Sequence, residues 1–464
     1  MKVLIISHTC FSTYNNMGKT FCALFSQFAS EELCQLYIYP SYPDVDICRS
    51  YYRVTDKEIL GSYFRLHAPG GPVADACLQA GKPAAFARAA DAPIYQRRSN
   101  SAPSVRLLRD AMWKFSRWYT PQLRRWLDQE KPTCIFLAPG YAKLIYDIAL
   151  KISREYGLPI VTYICDDYYF VKRPDTLAGR LQLWLLRRKM DRLMAQTRHL
   201  VAICEEIRDV YTERFGTDAT VIMTGTAQRE RVRHQDHDGE IRISYFGALR
   251  PNRECALSQF GQALDACNAR HGTNCFLDVY TAEAEQTILP ALEGIRSIRM
   301  HGFVSGEEHQ NALQGTDFLL HAEAFDAESR ELVRRSISTK IADSLASGIP
   351  LLAYGPEDIA SMQHLIRNNC AFVAVSQQEL GSMLETALFC PQTREEIVEN
   401  ALRAACKYHD LQKNSLRLHA LVQCVTADAG CDPGQADPIS PGKPDGEKDH
   451  DGESKGVFTG CDST

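Results

Sequence analysis

The sequence predicts an α/β protein made of two doubly wound parallel-sheet domains in tandem. Short β-branched runs alternate with longer helical patterns, which is the rhythm of parallel strands covered on both faces. That rhythm is interrupted by one polar segment, QRERVRHQDHDGE at 228–240, and then starts again. At 464 residues the chain is also too long for a single ordinary core.

In the first series the expected strands are Val3–Ser7, Leu36–Tyr39, Cys134–Leu137, Ile160–Cys165 and Leu200–Ile203. Helical patterns fall at Lys19–Phe28, Val105–Glu130, Leu144–Tyr156 and Ala178–Gln196. Residues 43–104, rich in Tyr, Pro, Gly and Ala, read as an elaborated loop region. The second series has strands at Ile241–Phe246, Cys275–Tyr280, Ile298–His301, Phe318–Ala322, Pro350–Ala353 and Ala371–Val375. Ser305 followed by Glu308 reads as a capping box. Helices at Gln377–Phe389 and Thr393–Val425 close the fold. The expected organisation is therefore a first domain at 1–227, a second at 228–392, a closing helix at 393–425 and a tail at 426–464. The tail is Gly, Pro, Asp and Lys with few apolar residues, so it is expected to be disordered.

Hydrophobic residues at 45% and charged residues at 23% are ordinary for a globular protein, and a formal charge of -5 argues against a nucleic-acid binder. The 17 cysteines lack CxxC pairs and often lie in apolar runs, as Cys134, Cys165 and Cys204 do. They read as small core residues in a reducing compartment rather than as zinc ligands. The apolar start at Val3 is too short for a secretory signal, and no run reaches the roughly 18 apolar residues that span a bilayer. The expected location is cytoplasmic, or peripheral on the inner face of a membrane.

Domains of this kind hold ligands at the carboxyl ends of their strands, here in the cleft between two sheets. The most informative segment there is SISTKIADSLASGIP, 336–350. Ser338 or Thr339 suits an N-cap, Ile341 and Leu345 face the core, Gly348 suits a left-handed end, and Pro350 stops the helix. The helix start offers N–H groups to a diphosphate. Lys340, a cation at the positive end of a helix, calls for an anion nearby. Asp343 lies one turn on, about 5 Å along the axis, at a suitable step from diphosphate to ribose. The bland alternative is a surface helix with ordinary charges.

STKIADSLASGIPLLA, 338–353, resembles the donor-binding signature of the retaining, GT-B-fold glycosyltransferases, often called glycosyltransferase group 1. The resemblance covers about residues 241–375. It implies two Rossmann-like domains facing across a cleft, with the C-terminal helix returning to the first. It assigns the ribose contact to Asp343, where Glu is usual. SYFGALRPNR, 244–253, resembles the turn that meets the diphosphate, so those roles fall on Gly247 and Arg253, with Arg250 beside them. MHGFVSGEE, 300–308, resembles the strand running into the nucleobase loop, and DFLLH, 317–321, the strand before the signature. One departure stands out: the second Glu of the pattern, which lies near the transferred sugar, is Arg335 here. Glu323 or Asp326 is the substitute the sequence offers.

In the first half, Gly18-Lys19-Thr20 invites a P-loop reading, but Thr13 stands where that motif needs a glycine. By resemblance, the loop with Asn15, Asn16, Gly18 and Lys19 reaches acceptor and phosphates; a solvated surface loop is the alternative. Asp166 and Asp167 end a strand and face the cleft, where one could orient or deprotonate an acceptor hydroxyl; a helix N-cap is the alternative. Asp44-Val-Asp46 has the form of a metal-binding DxD but lies far from the nucleotide elements. Arg253 and Lys340 can stabilise the leaving diphosphate, so no metal or other cofactor is required. Helical stretches with Trp113, Trp118, Trp126 and Trp184 among Arg and Lys suit an anionic membrane surface, or else amphipathic core helices with solvated basic faces.

The leading expectation is an enzyme moving a sugar from a nucleoside-diphosphate sugar to a hydroxyl of a glycan or lipid-linked acceptor, with retention implied by the resemblance. The alternatives are a P-loop-like nucleoside triphosphate hydrolase and a non-catalytic nucleotide-sugar-binding partner subunit.

Overall fold

Two parallel sheets organise the chain. The computed structural model describes residues 1–13, 15–64, 68–73, 103–172, 174–227, 239–283 and 289–427. The tail from 428, most of the 228–240 segment and residues 74–102 of the loop region lie outside the described residues.

The N-terminal lobe runs β1 (Val3–Ser7), α1 (Asn16–Leu24), β2 (Leu33–Tyr37), β3 (Ser50–Arg53), α2 (Asp56–Tyr63), β4 (Gly71–Pro72), α3 (Pro103–Phe115), α4 (Pro121–Glu130), β5 (Cys134–Leu137), α5 (Lys143–Tyr156), β6 (Ile160–Ile164), α6 (Leu177–Met194), β7 (Thr197–Ala202), α7 (Glu205–Phe215) and β8 (Ala219–Val221). Its strand order is β4-β3-β2-β1-β5-β6-β7-β8, all parallel except the β3–β4 pair. The C-terminal lobe runs β9 (Ile241–Phe246), α8 (Arg253–His271), β10 (Cys275–Tyr280), β11 (Ile298–His301), α9 (Glu307–Gln314), β12 (Phe318–Ala322), α10 (Ala327–Val333), α11 (Lys340–Ala346), β13 (Leu351–Tyr354), α12 (Ala360–Arg367), β14 (Phe372–Ala374), α13 (Leu380–Phe389), α14 (Pro391–Tyr408) and α15 (Leu411–Thr426). Its order is β11-β10-β9-β12-β13-β14. Both orders reverse beside their first strand, and in such sheets the crevice at that reversal is where ligands bind.

The central strands β1, β2, β5 and β6 are buried at every residue, as continuous apolar runs covered on both faces should be. The stretch read as loop holds β3, α2 and β4, so that expectation fails for its first part, and three helix details also depart from the sequence reading. Val105–Glu130 is two helices rather than one, because Pro121 starts α4 behind the Thr120 cap. Thr393–Val425 likewise divides at His409, and the Asp410 side chain caps α15. Ser305 is not an N-cap: Gly306, at φ 57°, occupies that position and no side-chain cap bond forms.

The closing helix returns to the N-terminal lobe. Ser415 Oγ accepts from Gln27 N at 2.9 Å and donates to Leu24 O at 2.8 Å. Where the chain leaves the N-terminal lobe and where it returns, Thr226 is bridged to Asp410. Beside them His409 Nδ1 donates to Thr224 O at 2.9 Å, and His409 Nε2 lies 3.2 Å from His364 Nε2. Burial holds the His409 pKa down at about 4 and the His364 pKa at about 3, so both rings are neutral near pH 7.

Candidate active site

The strand reversal of the C-terminal lobe lies between β9 and β12, and most of the sequence-nominated donor residues gather there. Gly247 follows β9, and a Cβ on it would come within 3.0 Å of both Lys340 Nζ and Tyr245 OH. The bare backbone is what lets the lysine of α11 approach this turn. Arg253 opens α8 and turns back to Glu323 at the end of β12, with Nη2–Oε2 at 2.8 Å and Nε–Oε2 at 2.9 Å. Its Nη1 also donates to the carbonyl of Arg250 at 2.7 Å, which ties the turn to the pair.

Burial raises the Glu323 carboxyl even though Arg253 sits beside it. Lys340 opens to solvent on one side, yet the surrounding protein and then the Arg253 guanidinium lower its pKa below the usual lysine range. Arg253 and Lys340 lie together here with the carboxylates Glu323 and Glu283 in electrostatic reach, so the locus is cationic but partly balanced.

Asp343 is exposed, one turn beyond Lys340 on α11. It lies within electrostatic reach of His309 on α9, whose pKa is lowered by burial, with Asp343 opposing and Lys19 adding to the shift. Helix α11 has seven residues, and Thr339 forms no side-chain cap bond. Its dipole is therefore small, and the anion-holding capacity rests on Arg253 and Lys340 more than on the helix end. Ser338 is committed to structure, donating its N–H to Ser361 Oγ at 3.1 Å. Gly348, at φ 73°, ends the helix left-handed as the sequence predicts. Asp326 caps α10, accepting from Ser329 N and from Asn252 Nδ2, each at 3.0 Å.

Across the cleft, Lys19 lies within electrostatic reach of Lys340 and His309. Its neighbours hold the loop. Asn15 caps α1 by accepting from Gly18 N at 2.7 Å, and Asn16 is the first helical residue. A Cβ on Gly18 would meet the Ser12 backbone at 2.7 Å. Asp44, half of the DxD match, accepts from Thr13 N at 3.0 Å and anchors this same loop.

Asp166 and Asp167 also stand at the cleft, and both are engaged by the other lobe. Arg335 Nη1 donates to Asp167 Oδ2 at 2.8 Å, and Ser336 Oγ donates to Asp166 Oδ1 at 2.8 Å. Asp167 Oδ1 further accepts from Tyr169 N at 3.0 Å and Phe170 N at 2.9 Å, closing a turn; the next helix starts only at Leu177 behind the Thr176 cap, so the expected alternative of a helix N-cap does not hold here. Burial raises the Asp166 pKa. Arg335, the departure from the expected Glu, thus serves as a tie between lobes.

Sequence reasoning missed Glu283, whose Oε2 accepts from Leu249 N at 2.8 Å and Arg250 N at 3.1 Å. A carboxylate just past the end of β10 was the available signal. It also missed the stack of Phe246, Tyr280 and His301 across three strand ends, with ring centroids 4.7 and 4.6 Å apart.

The two parallel-sheet lobes, each reversing beside its first strand, define a GT-B fold. HepE of Anabaena, solved with UDP, aligns at TM-score 0.58 and 12% identity over 91% of this chain and 100% of that one. Sucrose-phosphate synthase of Thermosynechococcus elongatus aligns at TM-score 0.56 and 10% identity, covering 92% and 99%. Trehalose 6-phosphate synthase of Burkholderia multivorans aligns at 0.57 and 12%, covering 92% and 97%. No curated protein sequence matches the chain. Residues 73–226 match the family model described as Glycosyltransferase Family 4, so the resemblance to GT-B glycosyltransferases holds in both halves of the chain, by sequence in the first and by fold throughout.

Proposed function

We propose that the chain transfers a sugar from a nucleoside-diphosphate sugar to a hydroxyl of a glycan or lipid-linked acceptor, with retention. Residues 1–227 form the acceptor side, 228–392 the donor side and 393–425 a closing segment of two helices, the second of which returns to the N-terminal lobe. The observation that carries this reading is the convergence of Arg253, Lys340 and Asp343 on the β9–β12 reversal, with Lys19 facing them. Arg253 and Lys340 stabilise the charge that grows on the leaving diphosphate, a role that needs no metal. Asp343 accepts from the ribose hydroxyls. HepE, of the same fold, is solved with UDP-glucose, which supports a nucleotide-sugar donor.

A P-loop hydrolase is disfavoured by the local geometry. Gly18-Lys19-Thr20 lies inside α1, and the Gly18 N–H is already taken by Asn15. The amide cradle that such a loop offers to phosphate is not formed.

UDP or GDP should raise the melting temperature by linkage, while ATP with magnesium should not. Asp343→Ala should remove the shift; a variant that keeps it would overturn the donor assignment. A transfer assay with labelled donor then separates an enzyme from a binding subunit.

A peripheral, cytoplasmic-face location is part of the same proposal. Among the described residues no helix is long and apolar enough to cross a membrane. Leu108 and Phe115 on α3 and Leu181 and Trp184 on α6 are exposed. Phe115 lines a groove of about 980 Å³ that Lys114, Lys151, Arg154, Arg188 and Arg192 also line. Apolar side chains ringed by cations suit an anionic lipid surface. Trp113 and Trp126 take no part, since both are buried and donate to Asp56 and Ser50. The protein should float with phosphatidylglycerol vesicles and not with phosphatidylcholine vesicles; sedimentation of all protein in both cases would remove the membrane reading.

A further inference from the structure

The turn after β9 is already occupied by an anion of the protein's own. Glu283 Oε2 takes the N–H groups of Leu249 and Arg250, at 2.8 and 3.1 Å. The same carboxylate lies within electrostatic reach of both Arg253 and Lys340. A negative oxygen held by successive backbone amides, with two cations beside it, is the setting that a phosphate oxygen would seek. The Arg253 guanidinium is balanced by Glu323, so Glu283 is a second carboxylate in a place where one already completes an ion pair.

We propose that Glu283 is a resident competitor of the donor diphosphate, holding the turn amides when the site is empty and yielding them when the nucleotide enters. The inference rests on the donor-site reading above. A carboxylate and a diphosphate cannot share two amides, and like charges in one pocket repel. Entry of the donor therefore displaces Glu283, and its return favours departure of the nucleoside diphosphate. The residue lowers affinity for the product and shortens its stay. Where product release limits turnover, that accelerates the cycle.

The competing role is as a buttress, in which Glu283 merely shapes the turn. The two differ in sign. Glu283→Gln retains a carbonyl oxygen for the amides but loses the charge, and Glu283→Ala loses both. Titration calorimetry of the full chain with UDP and with GDP should show about five- to tenfold tighter binding of the diphosphate that the wild type accepts, in both variants. The gain should shrink as salt is raised. A buttress would leave Glu283→Gln unchanged and weaken Glu283→Ala, and either result would overturn the proposal. If the alanine variant is poorly folded, by its melting curve, the glutamine variant alone decides. A wild type that binds neither nucleotide overturns the donor-site reading and this inference together. Binding by the wild type without tightening in Glu283→Gln overturns this inference alone.

Discussion

Arg253→Ala should abolish sugar transfer and lower the unfolding free energy by about 3 kcal/mol, because it strands a buried carboxylate. The Glu323 side chain is 3% exposed and Arg253 18% exposed. Lys340 lies within electrostatic reach of Glu323, but the close ion pair is made by the guanidinium. His321 Nε2 lies 3.5 Å from Glu323 Oε1, but its pKa is pushed down to about 3, mainly by burial. A loss of this size is a large part of an ordinary stability margin of about 5–15 kcal/mol. Stability and activity can be separated with a second variant. Arg253→Met with Glu323→Leu removes both charges and should recover the urea midpoint, since apolar replacement of a buried pair is often neutral. Transfer should remain absent, because the cation beside the leaving diphosphate is still missing. An active double variant would show that Arg253 only pairs with Glu323.

Reversing the tie between lobes should have the second largest effect. Arg335→Glu sets a carboxylate against Asp167 Oδ2, where a guanidinium nitrogen now lies at 2.8 Å. Asp167 cannot turn away, because its other oxygen holds the Tyr169 and Phe170 amides. The repulsion should part the lobes at this point. The Ser336–Asp166 bond leaves with the same loop, while Arg367–Glu206 makes a separate contact. Small-angle scattering should report a larger radius of gyration, and transfer should fall at least about tenfold, because donor and acceptor sites lose their alignment. Arg335→Lys keeps the charge and should stay near wild type in compactness. An unchanged radius in Arg335→Glu would show that the contact does not set the lobe geometry.

The parts of the fold legible in the sequence were those decided by local chemistry. Val3–Ser7, Cys134–Leu137, Ile241–Phe246, Cys275–Tyr280 and Phe318–Ala322 are strands over the residues expected, since each is a bounded β-branched or aromatic run. β3 was missed because Ser50–Arg53 is four residues inside a stretch rich in turn formers. The break at Pro121 was legible and overlooked; the break at His409 had only the weaker signal of Asp410, a capping residue inside an otherwise continuous helical pattern. At the site, Lys340 and Asp343 were nominated from helix position and, with Gly247 and Arg253, from the resemblance; Gly247, Arg253 and Lys340 meet at one strand reversal, and Asp343 lies one turn further along α11. What the sequence concealed were the pairings across long separations. Arg253 and Glu323 are 70 residues apart, and Arg335 and Asp167 are 168 apart. Such contacts depend on the tertiary fold and leave no local trace.

The paired crossings near Thr226 and Asp410 have a mechanical consequence. A single connecting strand would let one lobe swivel freely about the chain. Here the chain around Thr226 is tied to the returning segment at His409 and Asp410 by a backbone bridge and by the His409–Thr224 bond, and His409 in turn meets His364 of α12. A joint tied at two points resists torsion and yields mainly to bending across the line between them. Any opening of the cleft is thereby confined to something like a book turning on its spine. Lys19 and Lys340 would then separate and meet again along one reproducible path.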